Sequence, residues 1–184
     1  MSDESLTLWQ RLREGDDFAL EAIFLLHHKD LFRYGFKIAM DKAMVDDCIQ
    51  DLFLELWKNR SRVSPTLSGK AYLMKALKYK IYRALRKEVQ TMGISGSIEM
   101  PAEFSYEAAL VQQEEQSELR NKLLREMNKL SPRQQEALYL RYYSQLSYAE
   151  ISELMAISPQ AATNLVFKSI KALRENFHFL YLLA

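Results

Sequence analysis

Residues 147–176 read SYAEISELMAISPQAATNLVFKSIKALREN, and this stretch decides the fold of the second half of the chain. Ser147 and Ser158 each stand at the cap position of a run of helix-forming residues, and a glutamate follows Ser147 at the spacing of a capping box. Only Ala156 and Ile157 lie between the two runs. A short helix, a tight turn and a longer helix are the parts of a helix-turn-helix, so the stretch predicts that motif.

The longer predicted helix carries side chains suited to duplex DNA. Its early outward residues are short and polar, the type that reads base edges, and its later ones are cationic and suit phosphate contact. The base-reading candidates are Gln160, Thr163 and Asn164. The phosphate-contacting candidates are Lys168, Lys171 and Arg174. An ordinary helical hairpin with a Ser-Pro turn shows much of the same pattern, so the residues alone leave both interpretations open.

The first half of the chain also predicts helices. Apolar residues recur at helical spacing over residues 6–40, and GDD at 15–17 interrupts them and predicts a helix start near Phe18. The predicted apolar stripe of that helix is Phe18, Ala22, Leu25, Leu26, Leu31, Tyr34 and Ile38. Two further helices are predicted over 46–59 and 70–87, joined by a loop with Pro and Gly. The first half is therefore a unit of about four helices.

Composition supports an all-α protein and excludes several functional classes. The 184 residues include only five Gly and four Pro, and residues 91–107 combine Gly, Pro and Ser without periodicity, which predicts a linker between two helical units. Cys48 is the only cysteine and there are three histidines, so no disulfide framework, zinc site or other cofactor is expected. No apolar run reaches the ~20 residues of a membrane helix, and the single cysteine suits a reducing cytoplasm. No cluster with productive catalytic spacing is present, so an enzyme is not expected.

Charge is strongly segregated although the formal net charge is only +1. Residues 1–57 carry 6 basic and 12 acidic side chains, a balance of −6, and residues 60–90 carry 9 basic side chains and one acidic, a balance of +8. A basic block of this density is typical of a surface that binds a polyanion. The alternative is a solvated helix face, but such faces usually intersperse both signs.

Two neighbouring helices of the first unit predict two different surfaces. The helix over 46–59 presents an acidic stripe opposite its apolar side, at helical spacing. Its members are Asp47, Gln50, Asp51 and Glu55. The next helix interleaves Tyr72, Tyr79 and Tyr82 among its lysines, a pattern associated with single-stranded nucleic acid because aromatic faces stack on bases. Packing in the core is the alternative role for these tyrosines.

Four segments occur in a characteristic order: GDDFALEAIF at 15–24, DDCIQDLFLELW at 46–57, AYLMKALKYKIYRALRKE at 71–88 and LSPRQQEALYLRYYSQLSYAEISELMAIS at 130–158. In this order the chain resembles a bacterial extracytoplasmic-function sigma factor, a small two-domain member of the sigma-70 superfamily. The resemblance covers about residues 6–90 and 115–176. It implies an all-α fold of two small helical domains. They are region 2 over 1–90, a linker over 91–114, and region 4 over 115–184 with an apolar tail.

The resemblance also implies a place for each surface in transcription initiation. In the family, the helix corresponding to 46–59 docks on the clamp helices of the largest RNA polymerase subunit, and region 4 holds the polymerase flap. The implied core-polymerase-binding residues are Asp47, Gln50, Asp51, Glu55 and Trp57. Partners are therefore the RNA polymerase core and promoter DNA, both as duplex and as melted non-template strand. An anti-sigma factor is usual for the family.

The implied promoter contacts fall on both domains. The minus-ten element, where the family captures an unpaired base, is assigned Arg60, Arg62, Lys70, Tyr72, Lys75, Lys78, Tyr79, Tyr82, Arg83 and Arg86. The minus-thirty-five element is assigned Ser158, Gln160, Thr163, Asn164, Lys168, Lys171 and Arg174. Tyr79 and Arg83 stand where the family often has Asn and Asp.

The long helix of region 4 departs from the family pattern. Ala156 occupies the usual glycine of the turn, and Leu165 and Phe167 fall near the outward side. The tail at residues 177–184 (FHFLYLLA) is strongly apolar and is predicted to cover them. We therefore expect unusual minus-thirty-five readout, aided by a recruiting protein.

Two rival functions stay open. The first is a stand-alone helix-turn-helix regulator that binds duplex DNA as a dimer. This function explains residues 131–176 but assigns no function to the acidic stripe or to the basic helix with its tyrosines. A sigma-like adaptor that binds only proteins fits the atypical recognition helix. Co-purification with core polymerase would distinguish a sigma factor from the stand-alone regulator. Promoter-dependent transcription would exclude the adaptor.

Overall fold

The computed structural model describes residues 3–63, 68–91 and 118–176, and within those ranges every regular element is a helix. The chain divides into two compact units, Met1–Ala102 and Glu103–Ala184. The helices of the first unit are α1 (Asp3–Glu14), α2 (Asp17–Ala39), α3 (Lys42–Lys58) and α4 (Gly69–Thr91), with a 3₁₀ turn at Arg60–Arg62. The helices of the second unit are α5 (Glu118–Asn128), α6 (Pro132–Leu138), α7 (Tyr148–Met155) and α8 (Pro159–Asn176), with a π-helical turn at Tyr139–Tyr143.

The predicted all-α class with two helical domains is confirmed. The predicted domain limits at 90/91 and 114/115 stay predictions, because residues 92–117 lie outside the described ranges. In the parts of the chain that the structure describes, no helix is both long and apolar enough to cross a membrane.

The first unit is held together by close packing of α2, α3 and α4. Gly35 of α2 lies where the three helices meet: a Cβ atom there would lie 2.9 Å from Val45 Cγ1 and 3.1 Å from Ile81 Cδ1. A larger side chain would push the helices apart, since protein interiors leave no room for it. At the start of α4, the indole of Trp9 from α1 fills the space that a side chain at Gly69 would need.

The predicted buried side of α2 is wrong over the first half of that helix. Phe18, Leu25 and Leu26 are exposed by 72, 70 and 59%, whereas Ile23 and His27 are buried. Farther along the helix the predicted residues are buried, namely Leu31, Tyr34 and Ile38. The first half of α2 is apolar on two sides, so periodicity alone offers two stripes. Packing against α3 and α4 selects between them.

The predicted start of α3 is also wrong, by four residues. The helix begins at Lys42 because Asp41 caps it, with the Asp41 carboxylate accepting a hydrogen bond from the Met44 amide at 3.1 Å. The predicted cap of α2 is confirmed, since Asp16 accepts hydrogen bonds from two backbone amides of its first turn. An aspartate at a cap and one inside a helix look alike in sequence, which explains the misplaced start.

In the second unit, α7 and α8 form the predicted helix-turn-helix. The Ser147 amide donates to Glu150 Oε2 at 2.7 Å and the Glu150 amide donates to Ser147 Oγ at 3.3 Å, which completes the predicted capping box. Ala156, between the helices, has a φ of 53°, in the left-handed region. Side chains with a Cβ enter that region at a cost of about 1 kcal/mol, which explains why glycine suits this position.

Candidate functional site

One side of α3 forms an exposed surface, here called the α3 face, made of Asp47, Gln50, Asp51, Leu54 and Glu55. All five side chains are exposed, and their spacing of i, i+3, i+4, i+7 and i+8 places them on one side of a helix. The opposite side of α3 is buried in the core of the unit through Val45, Ile49, Leu52, Phe53 and Leu56. The structure thus brings four of the five predicted core-binding residues together.

Leu54 lies in the middle of the α3 face and was missed by the sequence reasoning. It is 58% exposed, and it follows Gln50 by four residues and Asp51 by three. The helical spacing could have indicated this exposure. Leu54 lies outside the apolar stripe to which its neighbours Leu52 and Phe53 belong. A leucine exposed among polar side chains offers apolar area that is removed from water if a partner covers the face.

The negative charge of the α3 face is concentrated on Asp47 and Asp51. The third carboxylate, Glu55 Oε1, lies 2.7 Å from Lys80 Nζ of α4. The Glu55 side chain is 62% exposed, so the pair adds little stability, but it neutralises one end of the face. Lys80 was in none of the predicted sets, because a pairing between two helices is invisible in the spacing of either one.

Trp57, the fifth predicted core-binding residue, is half-buried beneath Arg60. The Arg60 guanidinium lies 4.4 Å from the centroid of the Trp57 ring, and its Nη1 donates to the Trp57 carbonyl at 3.0 Å. Cation–π contact and hydrogen bond together fix Arg60 at the end of α3. Arg62, on the same 3₁₀ turn, is exposed.

The outer side of α4 forms a second surface, the α4 face, made of Tyr72, Lys75, Tyr79, Arg83 and Arg86. Their spacing of i, i+3, i+7, i+11 and i+14 follows one side of the helix. The inner side is fully buried, with Leu73, Met74, Leu77 and Ile81 at 0% exposure. All nine cations of the basic block at 60–90 remain outside the core, as a polyanion-binding surface requires.

The three tyrosines of α4 have different surroundings. Tyr79 is 59% exposed and free to stack on a base. Tyr72 makes an edge-to-face contact with Trp9, with ring centroids 5.9 Å apart, and burial raises the pKa of its hydroxyl. Tyr82 is half-buried and lies 5.7 Å from Lys78 Nζ. Tyr72 and Tyr82 therefore contribute in part to packing, the alternative role considered for these tyrosines.

Lys70 lies apart from the α4 face. Its Nζ lies 2.6 Å from Asp30 Oδ2 of α2. The charge of Lys70 is therefore neutralised by an ion pair between the two helices. Nearby, burial and then the charge of Lys70 lower the pKa of His27, which favours the neutral imidazole. The structure thus gives Lys70 a role in holding α4 against α2.

The outward side of α8 carries the predicted duplex-contacting residues. Ser158 caps the helix, since its Oγ accepts a hydrogen bond from the Ala161 amide at 3.1 Å. Lys168, Lys171 and Arg174 are exposed farther along. The inner side packs through Ala162 and Val166, with 0 and 1% exposure.

The amide and hydroxyl groups on this side are partly engaged within the helix. Gln160 Nε2 donates to Asn164 Oδ1 at 3.1 Å, and the Thr163 hydroxyl donates to the Pro159 carbonyl at 3.0 Å. Thr163 therefore has less capacity for a base than its position suggests, whereas Gln160 and Asn164 each retain free polar atoms.

Phe167 also lies on the outward side and is 67% exposed, as its position in the sequence indicated. Leu165 is half-buried instead. The tail at 177–184, which was predicted to cover both residues, lies outside the described part of the chain.

Two family models match the chain, one within each unit. The model described as Sigma-70 region 2 matches residues 23–91, and the model described as Sigma-70, region 4 matches residues 120–173. The RNA polymerase sigma factor CarQ of Myxococcus xanthus is 25% identical over 166 residues, which cover 90% of this chain and 93% of CarQ. The ECF RNA polymerase sigma factor SigM of Bacillus subtilis (strain 168) is 22% identical over 163 residues, 84% of this chain and 93% of SigM.

Solved structures share the fold. The sigma factor RpoE in complex with the anti-sigma factor NepR from Bartonella quintana has a TM-score of 0.61 and 20% identity, covering 89% of this chain and 98% of RpoE. The structure of CnrH in complex with the cytosolic domain of CnrY has a TM-score of 0.63 and 17% identity, covering 94% of this chain and 96% of CnrH.

Proposed function

Because this chain belongs to the sigma-70 family, as an extracytoplasmic-function sigma factor, we propose that it binds core RNA polymerase, recognises promoter DNA and promotes strand opening. The observation that carries this proposal is the separation of charge between two neighbouring helices of one unit. The α3 face carries the exposed carboxylates of Asp47 and Asp51, and the α4 face carries cations with aromatic rings. One small domain therefore offers one surface for a protein partner and another for a polyanion.

The α3 face is the proposed docking surface for the clamp helices of the largest polymerase subunit. Asp47 and Asp51 supply charge that speeds and orients association with a basic partner. Leu54 supplies apolar area at the centre, where water is excluded on docking. Gln50 and Glu55 complete the polar rim.

The α4 face is the proposed surface for the opened minus-ten element. Opening a duplex costs a few kcal/mol for each base that is unstacked, and contacts to the displaced strand offset that cost. Lys75, Arg83 and Arg86 suit the phosphates of the non-template strand, and Tyr79 offers an exposed ring for a splayed base. No chemical step is needed, so binding energy alone performs the work.

The second unit is the proposed reader of the minus-thirty-five duplex. Helix α8 lies in the major groove in this proposal, with Gln160 and Asn164 toward base edges and Lys168, Lys171 and Arg174 toward phosphates. A separate surface of the same unit holds the polymerase flap.

A charge-reversal experiment tests the polymerase-binding part of the proposal. In a variant with Asp47→Lys and Asp51→Lys, we expect co-purification with core polymerase to be lost at moderate salt. Glu21→Lys provides the matched control, because Glu21 is an exposed acidic residue on α2 of the same unit. Intact assembly of the double variant would overturn the proposed docking surface.

A reconstituted transcription reaction separates the rival functions. With core polymerase and this chain, we expect transcripts that depend on a promoter. Binding to duplex DNA without core binding would favour the stand-alone regulator, and core binding without transcripts would favour the adaptor.

We also propose that other proteins regulate this chain in the cytoplasm. RpoE, which shares its fold, was solved in complex with an anti-sigma factor. An inhibitor of that kind would compete for the α3 face. The partly engaged polar groups of α8 support a recruiting protein as well, and weak minus-thirty-five footprints without it, strengthened when it is added, are the expected result. Strong protection by the holoenzyme alone would remove the need for a recruiter.

A further inference from the structure

A large apolar side chain stands at the centre of the outward side of α8. Phe167 is 67% exposed, and the inward positions around it are already filled by Ala162, Val166 and Ser169, which are 0, 1 and 0% exposed. The ring therefore faces outward because the packing of α8 leaves no inward place for it. Exposure of this area to water is unfavourable until a partner covers it.

The neighbours of Phe167 indicate what that partner is. Gln160, Asn164, Phe167, Lys171 and Arg174 follow one line along α8 at i, i+4, i+7, i+11 and i+14. At a rise of 1.5 Å per residue, Phe167 lies about 4.5 Å along the axis beyond Asn164 and about 6 Å before Lys171. The ring thus stands between amides that suit base edges and cations that suit phosphates. The cations favour a polyanion as the partner rather than an apolar protein surface.

The chemistry of the major groove offers one apolar target. The amides of Gln and Asn pair with adenine, and the 5-methyl group of thymine is the group that apolar side chains contact. Gln160 and Asn164 form a hydrogen bond to each other at 3.1 Å, which holds the two amides together on the N-terminal side of Phe167. Successive base pairs are about 3.4 Å apart, so if α8 runs along the major groove, a ring about 4.5 Å farther along its axis comes within reach of an adjacent base pair.

We propose that Phe167 determines specificity by contacting a thymine 5-methyl group next to the base pair that Gln160 and Asn164 read. This inference rests on the proposed placement of α8 in the duplex. It gives the minus-thirty-five element of this chain an A·T preference that arises from apolar contact as well as from hydrogen bonds.

Replacement of thymine by uracil tests the contact, because it removes the methyl group and leaves the base pairing unchanged. The holoenzyme of this chain and core polymerase first selects its preferred duplexes from a random library at low salt. Each thymidine of the selected upstream element is then replaced singly by deoxyuridine. We expect one position at which the dissociation constant of the wild-type holoenzyme rises about fourfold, as the loss of one buried methyl group predicts.

Variants assign that effect to the ring. Phe167→Ala should bind the thymine and uracil duplexes equally well, and Phe167→Leu should recover part of the discrimination. Lys168→Ala should weaken both duplexes by the same factor and keep the fourfold ratio, because a phosphate contact carries no base information. Phe167 is exposed, so its replacement leaves the packing of α8 unchanged.

The outcomes distinguish this inference from the proposed function. A wild-type holoenzyme that selects an upstream element but shows no uracil effect, or a Phe167→Ala variant that keeps the effect, would overturn the role of Phe167 alone. A holoenzyme that selects no upstream element at all would overturn the proposed placement of α8 and the inference with it.

Discussion

Leu54 provides the sharpest test of how this chain docks on core polymerase. The perturbation is Leu54→Ala, which removes apolar area from the centre of the α3 face without changing charge. Full burial of a leucine side chain is worth about 1.5–3 kcal/mol. Since 58% of Leu54 is exposed, docking that covers it should contribute about 0.9 to 1.7 kcal/mol, and its loss should raise the dissociation constant about four- to twentyfold.

A matched control exists on the neighbouring helix. Leu25 of α2 is 70% exposed, so Leu25→Ala makes the same chemical change at a leucine of similar exposure on a different helix. Fluorescence anisotropy of the labelled chain, titrated with core polymerase at fixed salt, gives both dissociation constants. Thermal unfolding of the free variants should be nearly unchanged, since surface substitutions usually stay within about 0.5 kcal/mol.

Two results would refute the reasoning. Wild-type affinity of the Leu54→Ala variant would show that the polymerase leaves the centre of the α3 face uncovered. An equal loss for Leu25→Ala would show that the docking surface also covers α2 and is not centred on Leu54.

Three further predictions concern the α4 face, the turn of the second unit and a buried amine. Replacing Lys75 and Arg83 of the α4 face, together with Lys78 of the same helix, by alanine should weaken open-complex formation and flatten its salt dependence; an unchanged slope would mean that these cations do not meet phosphates. Ala156→Gly should raise the free energy of unfolding by about 1 kcal/mol, seen as a higher Tm, since φ is 53° there; a lower Tm would contradict this. Burial lowers the pKa of Lys37 to about 8, below its value in the unfolded chain. Above pH 8 the unfolded state therefore binds more protons than the folded state, so the free energy of unfolding should rise with pH. In Lys37→Met that rise should disappear from denaturant midpoints measured at each pH.

The sequence predicted well those features that short segments decide. A cap for α2 within residues 15–17 and the Ser147–Glu150 capping box were predicted correctly, because a cap requires only a few consecutive residues to adopt the right backbone. The boundaries of α7 and α8 follow from the same signals. The α3 and α4 faces were also largely predictable, since the helical period places residues on a common side once the helix is known.

Contacts between helices were not predictable in this way. The pairs Glu55–Lys80 and Lys70–Asp30 join different helices, and no spacing within one helix reveals them. These ion pairs neutralise Glu55 and Lys70, which the sequence analysis had assigned to binding surfaces. Their partners, Lys80 and Asp30, had been assigned to neither surface. The exposure of Leu54 likewise became clear only when its neighbours were found in the core.

The helical class, the order of the helices, their caps and the segregation of charge are all encoded locally, in residue types and their spacing along the chain. The direction in which each helix faces is decided by the other helices. Helix α2 shows the difference, because Phe18 and Leu25 form as regular an apolar stripe as Ile23 and Leu31 do. Which stripe is buried depends on where α3 and α4 provide a complementary apolar surface, and that is a property of the packed unit.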